Sequence, residues 1–250
     1  MMKSTDTITK IEQDTNPAIV PVSKLEEDSY DWWARHADVL RIKDIINPEI
    51  ILIGDSITHF WDGEPKSQQA NGPKAFASVF TPYRVLNLGF GWDRIQNVLW
   101  RLDHGEMDNL HPRVIILHIG TNNTSDTPNA RAGTPEEIVE GIAAICARLQ
   151  SQVPDVNIIL MKIFPREEKP DHPCRILINK INLKLTEFAS TAHLTLLDLA
   201  PQMLRADGTL PSDLTLDFCH PNEAGYQIWA DALRPLLAVF LSPDASSAKL

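Results

Sequence analysis

Only three cysteines occur in the 250 residues, Cys146, Cys174 and Cys219. Their odd number and scattered spacing argue against a disulfide framework and fit a reducing compartment. Basic side chains are in deficit, 23 against 33 acidic ones for a formal net charge of −10, with no Lys/Arg cluster. Nucleic acid and anionic membrane surfaces are therefore not expected partners. No apolar run approaches the length of a membrane span, and Met1 to Pro21 lacks the apolar core of a signal peptide, so a cytoplasmic protein is expected. Glycine-rich cofactor loops are missing as well. Gly89-x-Gly91 has Arg94 where a dinucleotide fingerprint needs its third glycine, and there is no Walker-type glycine-lysine loop, so no cofactor is expected. Internal repeats and low-complexity tracts are also absent.

What is there is an alternation of strand and helix signals. Residues 1 to about 22 are polar and non-periodic and read as a lead-in without structure; 23–241 reads as one domain and 242–250 as a tail. From Lys24 to Asp44, Trp32, Trp33, His36, Val39 and Leu40 recur at helical spacing, which predicts an amphipathic helix with both tryptophans in the core. Apolar runs at Glu49 to Ile53, Tyr83 to Leu88, Val114 to Ile119, Val156 to Met161 and Leu194 to Leu199 read as five buried strands. Thr134-Pro135-Glu136-Glu137 opens a helix with the stripe Ile138, Ile142, Ile145 and Leu149, because Thr caps, Pro suits the first turn and acids favour the positive helix end. Further helices are expected over Cys174 to Thr191 and from Asn222 to Leu241, the last bent or split by Pro235. Strands separated by helices imply a parallel sheet covered on both faces, a three-layer α/β/α arrangement.

In such a sheet, ligands sit beyond the carboxyl ends of the strands. The first strand runs into Gly54-Asp55-Ser56-Ile57, the second into Gly89-Phe90-Gly91-Trp92-Asp93, and the third into Gly120-Thr121-Asn122-Asn123. Ser56 at the first turn is either a presented nucleophile or, with Asp55, part of an ordinary helix cap. Three polar turns in succession, with Asp217-Phe218-Cys219-His220 ahead of the last helix, favour the nucleophile. An aspartate three residues before a histidine can reach its Nδ1 and hold the tautomer whose Nε2 accepts a proton. Ser56 is then the nucleophile, His220 the base and Asp217 the orienting carboxylate. Asn122, with the backbone N–H of Ser56 and one from the Gly91-Trp92 turn, supplies donors for an oxyanion. Arg166 falls at the rim where substrate enters, while Glu167-Glu168-Lys169 reads as a solvated loop. His118 reads as a core histidine, and His59 and His104 have no identifiable partner. A zinc site from Asp217, Cys219 and His220 is disfavoured, because adjacent Cys and His side chains cannot easily share one ion.

Taken together, these blocks resemble the SGNH hydrolases, also called GDSL esterases and lipases. Gly54-Asp55-Ser56-Ile57 is similar to their nucleophile block, Asn87 to Asp93 to the glycine block, Gly120 to Asn123 to the asparagine block, and Asp217 to Asn222 to the Asp-x-x-His block. Val98 to Leu102 and Phe164 to Pro170 most resemble the catalytic subunits of type Ib platelet-activating-factor acetylhydrolase and their bacterial relatives. The resemblance implies a flavodoxin-like fold with a central five-stranded parallel sheet, a small-molecule ester substrate, and Ser56, Asp217 and His220 as triad. It also implies Asn122 among the oxyanion donors and a homodimer among the possible assemblies. One position departs from the family: Trp92 stands where its oxyanion glycine is usual. If that position needs a positive φ, tryptophan is strained there, and its indole walls the acyl pocket in favour of short acyl groups. An acyltransferase on the same acyl-enzyme, or an inactive binding protein on this scaffold, are the alternatives the sequence leaves open.

Overall fold

The sheet forms because five short apolar runs have no polar face to give to water. The computed structural model, which describes residues 15–242, places them as β1 (Ile50–Gly54), β2 (Val85–Gly89), β3 (Val114–His118), β4 (Asn157–Met161) and β5 (Thr195–Leu197). All pairs are parallel, in the order β2-β1-β3-β4-β5. The expected strands lie within two residues of these, except that β5 is half as long as the run Leu194 to Leu199.

Alternating side chains serve two cores. Ile51, Ile53, Leu86, Leu88, Ile115 and Leu117 pack under α1 (Trp32–Ile46), α4 (Ile95–Asp103), α5 (Pro135–Gln152) and α6 (Pro173–Thr191). Ile50, Leu52, Val114, Ile116, Ile159 and Met161 pack under α3 (Pro73–Phe80), α7 (Ala200–Met203) and α8 (Glu223–Phe240). One further short helix, α2 (Ser56–His59), follows β1 directly. Among the described residues no helix is long and apolar enough to cross a membrane.

Caps account for where the long helices begin. Asp31 accepts from the N–H groups of Trp33 and Ala34 at the start of α1. Thr134 and Glu137 form a reciprocal capping box on α5, and Asn222 accepts from Ala224 and Gly225 on α8.

Three expectations are corrected. The first helix starts at Trp32 rather than near Lys24; the preceding segment is a strap across α4, where Asn97 Nδ2 donates to Val22 and Ser23 carbonyls and Thr127 Oγ1 donates to Glu26. Ordered chain begins before Ser23: Pro17–Ile19 form a 3-10 turn capped by Asn16, which also donates to the Glu137 carbonyl, and Ala18 is buried. Residues 1–14 and 243–250, the rest of the expected lead-in and tail, lie outside the described residues. Of the two tryptophans, Trp32 is core but Trp33 is 49% exposed, since adjacent helical residues point about 100° apart.

Helix α8 also runs unbroken through Pro235. Proline there leaves the Asp231 carbonyl without its N–H partner, and residue 235 is exposed, so no packing compensates. Pro235→Ala is therefore expected to stabilise the protein by about 1–3 kcal/mol, read as a higher urea midpoint with an unchanged slope.

Candidate active site

The register of the sheet brings the polar turns together. Gly54 pairs with Gly89 on one side and His118 on the other, so β1, β2 and β3 end level, at the point where the strand order reverses. At Gly54 a Cβ would lie 2.1 Å from Thr58 Oγ1 and 2.3 Å from the His118 carbonyl, so only glycine admits the tight turn into α2.

In that turn the cap and nucleophile readings fall on different residues. Asp55 is the N-cap, its Oδ1 accepting from the Ile57 N–H, and Ser56 is the first helical residue. Ser56 Oγ lies 2.9 Å from His220 Nε2, and His220 Nδ1 lies 2.7 Å from Asp217 Oδ2. The histidine is held by its own loop. Asp217 Oδ1 accepts from the Cys219 and His220 N–H groups at 3.0 and 2.7 Å, Phe218 turns at φ 58°, and Leu216 N–H donates to the His220 carbonyl. Burial works against the Asp217 charge, but the hydrogen bonds from the His220 amide and ring outweigh it and hold the carboxyl below its usual range. Tyr226 Oη donates to the Ile57 carbonyl at 2.7 Å, tying α8, just after the histidine, to the helix that carries Ser56.

On the other side stands the turn after β2. Trp92 adopts φ 61°, the left-handed region in which a side chain is strained, and remains 38% exposed. Its neighbours are fixed. The Gly91 carbonyl accepts from Tyr30 Oη and the Gly91 N–H donates to His59 Nδ1. Asp93 accepts from Trp32 Nε1 and Arg101 Nε, both at 2.8 Å. Asn122 Nδ2 donates to the Asp93 carbonyl at 3.0 Å, which orients the amide and leaves its second hydrogen free of that bond. Asn123 braces the same corner, accepting from Ile95 N–H and donating to Gln96.

Ser56, Trp92, Asn122, Asp217 and His220 all line one cavity of about 420 Å³, and so does Arg166. Arg166 reaches Ser125 Oγ at 3.2 Å and Glu167 at 3.6 Å. Glu167 belongs to the wall rather than to a solvated loop, because its N–H donates to the Phe218 carbonyl and its φ of 68° turns it back toward the histidine loop. Sequence reasoning missed Asp28, Ser29, Phe60 and Gln69 on the same wall. They come from the strap and from the loop after α2, whose approach depends on contacts far apart in the chain. It also missed the partner of His59. Burial, with Arg35 and Arg101 nearby, pushes that ring down to about 2, so it is neutral and its Nδ1 is free to accept from Gly91. His104 Nδ1 likewise meets the Trp100 carbonyl at 2.7 Å. His118 is the expected core histidine, with Nε2 accepting weakly from the Phe164 N–H at 3.4 Å and burial pushing it down to about 3.

Residues 52–228 match the model of the GDSL-like lipase/acylhydrolase family. The chain belongs to that family. This GDSL hydrolase is 32% identical over 231 residues to platelet-activating factor acetylhydrolase IB subunit alpha2 of Rattus norvegicus, covering 91% of this chain and 93% of that one. It is 30% identical over 235 residues to subunit alpha1 from Bos taurus, covering 92% and 93%. In fold it is similar to a GDSL-like lipase from Bacteroides thetaiotaomicron, with a TM-score of 0.64 at 17% identity over 81% of this chain and 98% of that one. It is also similar to an acetylxylan esterase from Geobacillus stearothermophilus, with a TM-score of 0.61 at 22% identity over 75% and 93%. The protein is thus an ester hydrolase on a flavodoxin-like α/β scaffold.

Asp55 makes the stability of the fold sensitive to pH. It is fully buried, its Oδ2 has no hydrogen-bond partner among the described residues, and burial pushes its carboxyl up to about 7. A carboxyl with a raised folded-state pKa stays protonated in the fold while the unfolded chain ionises, so its contribution falls as pH rises from about 4 to 7. Asp55→Asn removes that term. Relative to the parent, the variant is expected to gain stability across this window at up to about 1.4 kcal/mol per pH unit, measured by urea unfolding at a series of pH values.

Proposed function

We propose that this GDSL hydrolase cleaves short-acyl carboxylic esters, chiefly acetyl esters, through a covalent acyl-enzyme on Ser56. The observation that carries the reading is the chain of contacts from Ser56 Oγ to His220 Nε2 and from His220 Nδ1 to Asp217. His220 takes the Ser56 proton as Oγ attacks the ester carbonyl, and Asp217 stabilises the imidazolium that forms. The C=O becomes a tetrahedral oxyanion, received by the backbone N–H groups of Ser56 and Trp92 and by Asn122 Nδ2. Ser56, as the first residue of α2, carries an N–H with no intrahelical acceptor, which suits it to this task. Collapse of the intermediate breaks the bond to the alcohol, which leaves with the proton from His220. Water, deprotonated by the same ring, then releases the acid and restores Ser56.

The walls support a small acyl group. Among the described residues no Leu, Ile, Val or Met lines the cavity, and the apolar side chains on its wall are Phe60, Trp92 and Cys219. A long acyl chain would find little apolar area to bury against, at about 25 cal/mol per Å², whereas an acetyl group needs little. The relatives named as acetylhydrolase IB subunits, and the fold neighbour named as an acetylxylan esterase, point the same way.

Ser56→Ala is expected to abolish hydrolysis of p-nitrophenyl acetate with the circular dichroism spectrum and urea midpoint retained; turnover by the folded variant would refute the acyl-enzyme. Asn122→Ala is expected to lower kcat by about 10²–10³ with a smaller change in KM, as initial-rate kinetics on the same ester will read. An equal loss confined to KM would mean that Asn122 binds the ground state and not the oxyanion.

A further inference from the structure

Away from Ser56, a cavity of about 530 Å³ lies between residues 15–25, the start of α4 and the loop leading into α5. It shares no lining residue with the cavity at Ser56. Its size falls in the range of small-molecule sites, and its walls are pinned to one another by bonds between distant segments. Asn16 Nδ2 donates to the Glu137 carbonyl on α5 at 2.9 Å, Val22 N–H donates to the Gln96 carbonyl at 3.1 Å, and Gly133 N–H donates to the Asn123 carbonyl at 2.8 Å.

Four features define what it can hold. Gln96 lines the cavity although only 5% exposed, and its Oε1 accepts from Asn123 Nδ2 at 3.0 Å. Its Nε2 has no hydrogen-bond partner among the described residues, and an amide donor buried in this way is costly until an acceptor reaches it. Pro17, Ala18, Val20, Val22 and Leu25 supply an apolar side against which hydrocarbon can be buried. The charges in the lining are already matched, because both Nη atoms of Arg131 donate to the Glu137 carboxylate. A carboxylate or an ammonium entering here loses its water and finds no free counter-charge. Ser, Cys, His and Lys are absent from the described lining residues, so a ligand is held and not transformed.

We propose that this cavity is a second binding site, for a small neutral carbonyl compound with a short aliphatic body. The ligand's C=O accepts from Gln96 Nε2, and its hydrocarbon lies along Val20, Val22 and Leu25. Through the bond between Gln96 and Asn123 the bound molecule backs onto the turn that carries Asn122. Neither contact depends on Ser56 or on how the protein treats esters.

Titration of the full chain with hexanamide, followed by heteronuclear NMR of the backbone and side-chain N–H groups, tests it. The Gln96 and Asn123 side-chain amides are expected to shift saturably. Hexanamide is expected to bind about tenfold more tightly than acetamide, as two buried methylene groups supply, and more tightly than hexanoate or hexylammonium. Gln96→Met, which keeps the length of the side chain without its donor, is expected to weaken hexanamide about tenfold, read at Val22 and Asn123. Val20→Trp, at a position 43% exposed where a larger ring can enter the cavity, is expected to abolish binding with circular dichroism unchanged. Absence of a saturable shift, tighter binding of either charged analogue, or binding that survives both substitutions overturns the site. Shifts centred on the Trp92 indole N–H instead of Gln96 place the ligand at Ser56 and overturn it too. Failure of the protein to hydrolyse any ester overturns the esterase reading instead and leaves these titrations as they are.

Discussion

One buried guanidinium holds the turn after β2 together. Arg101 is fully buried, donates through Nε to Asp93, through Nη1 to Glu106 and through Nη2 to the Leu88 carbonyl at the end of β2, and lies 4.0 Å from the centre of the Phe90 ring. Its two acids reach further: Asp93 also accepts from Trp32 on α1, and Glu106 contacts His36 on the same helix at 2.8 Å. Removing one partner from such a cluster typically costs about 3–5 kcal/mol, because a charge is left buried without compensation. The cluster therefore joins strand end, turn and covering helix into a single unit, and through the Asp93 carbonyl it reaches Asn122.

That rigidity explains how a tryptophan persists at φ 61°. The left-handed conformation costs an ordinary residue roughly 1–2 kcal/mol, less than the anchors on either side can hold. Gly91 is fixed by Tyr30 and His59, and Asp93 by Arg101 and Trp32, so residue 92 has its backbone conformation imposed by its neighbours. Glycine would meet the imposed geometry without strain. Tryptophan meets it with strain and adds an exposed ring to the wall of the cavity, so its presence alters the shape of the site and not the backbone path.

Much of this is legible in the sequence. The β-branched runs identify the strands because a strand covered on both faces has no other composition open to it, and Thr134-Pro135-Glu136-Glu137 marks its helix start because each residue type answers a specific unpaired N–H. The contact between Asp217 and His220 is legible because it closes within three residues. What escaped is long-range. The strap that brings Asp28 and Ser29 to the cavity is pinned by Asn97, Thr127 and Asn129, none of which is near it in sequence. The loop that brings Gln69 is pinned where the Phe60 carbonyl accepts from Asn71 N–H. Glu167 looked like a solvated residue because its charge run says so, while its place on the wall is decided by a backbone bond to Phe218.

The turn at Asp55 and Ser56 shows why local and distant constraints have to agree. Capping by Asp55 is a local event, and it uses one carboxyl oxygen on the Ile57 N–H. Because Asp55 takes the cap, Ser56 is released from it and becomes the first helical residue, with its side chain toward His220 and its N–H without an intrahelical acceptor. The second carboxyl oxygen is buried without a partner, and burial of that kind is tolerable for a neutral acid and costly for an anion. A protonated Asp55 therefore places no negative charge beside Ser56. The same buried group that weakens the fold as pH rises is thus uncharged below its pKa, so the cap at this strand end is made without a carboxylate beside Ser56.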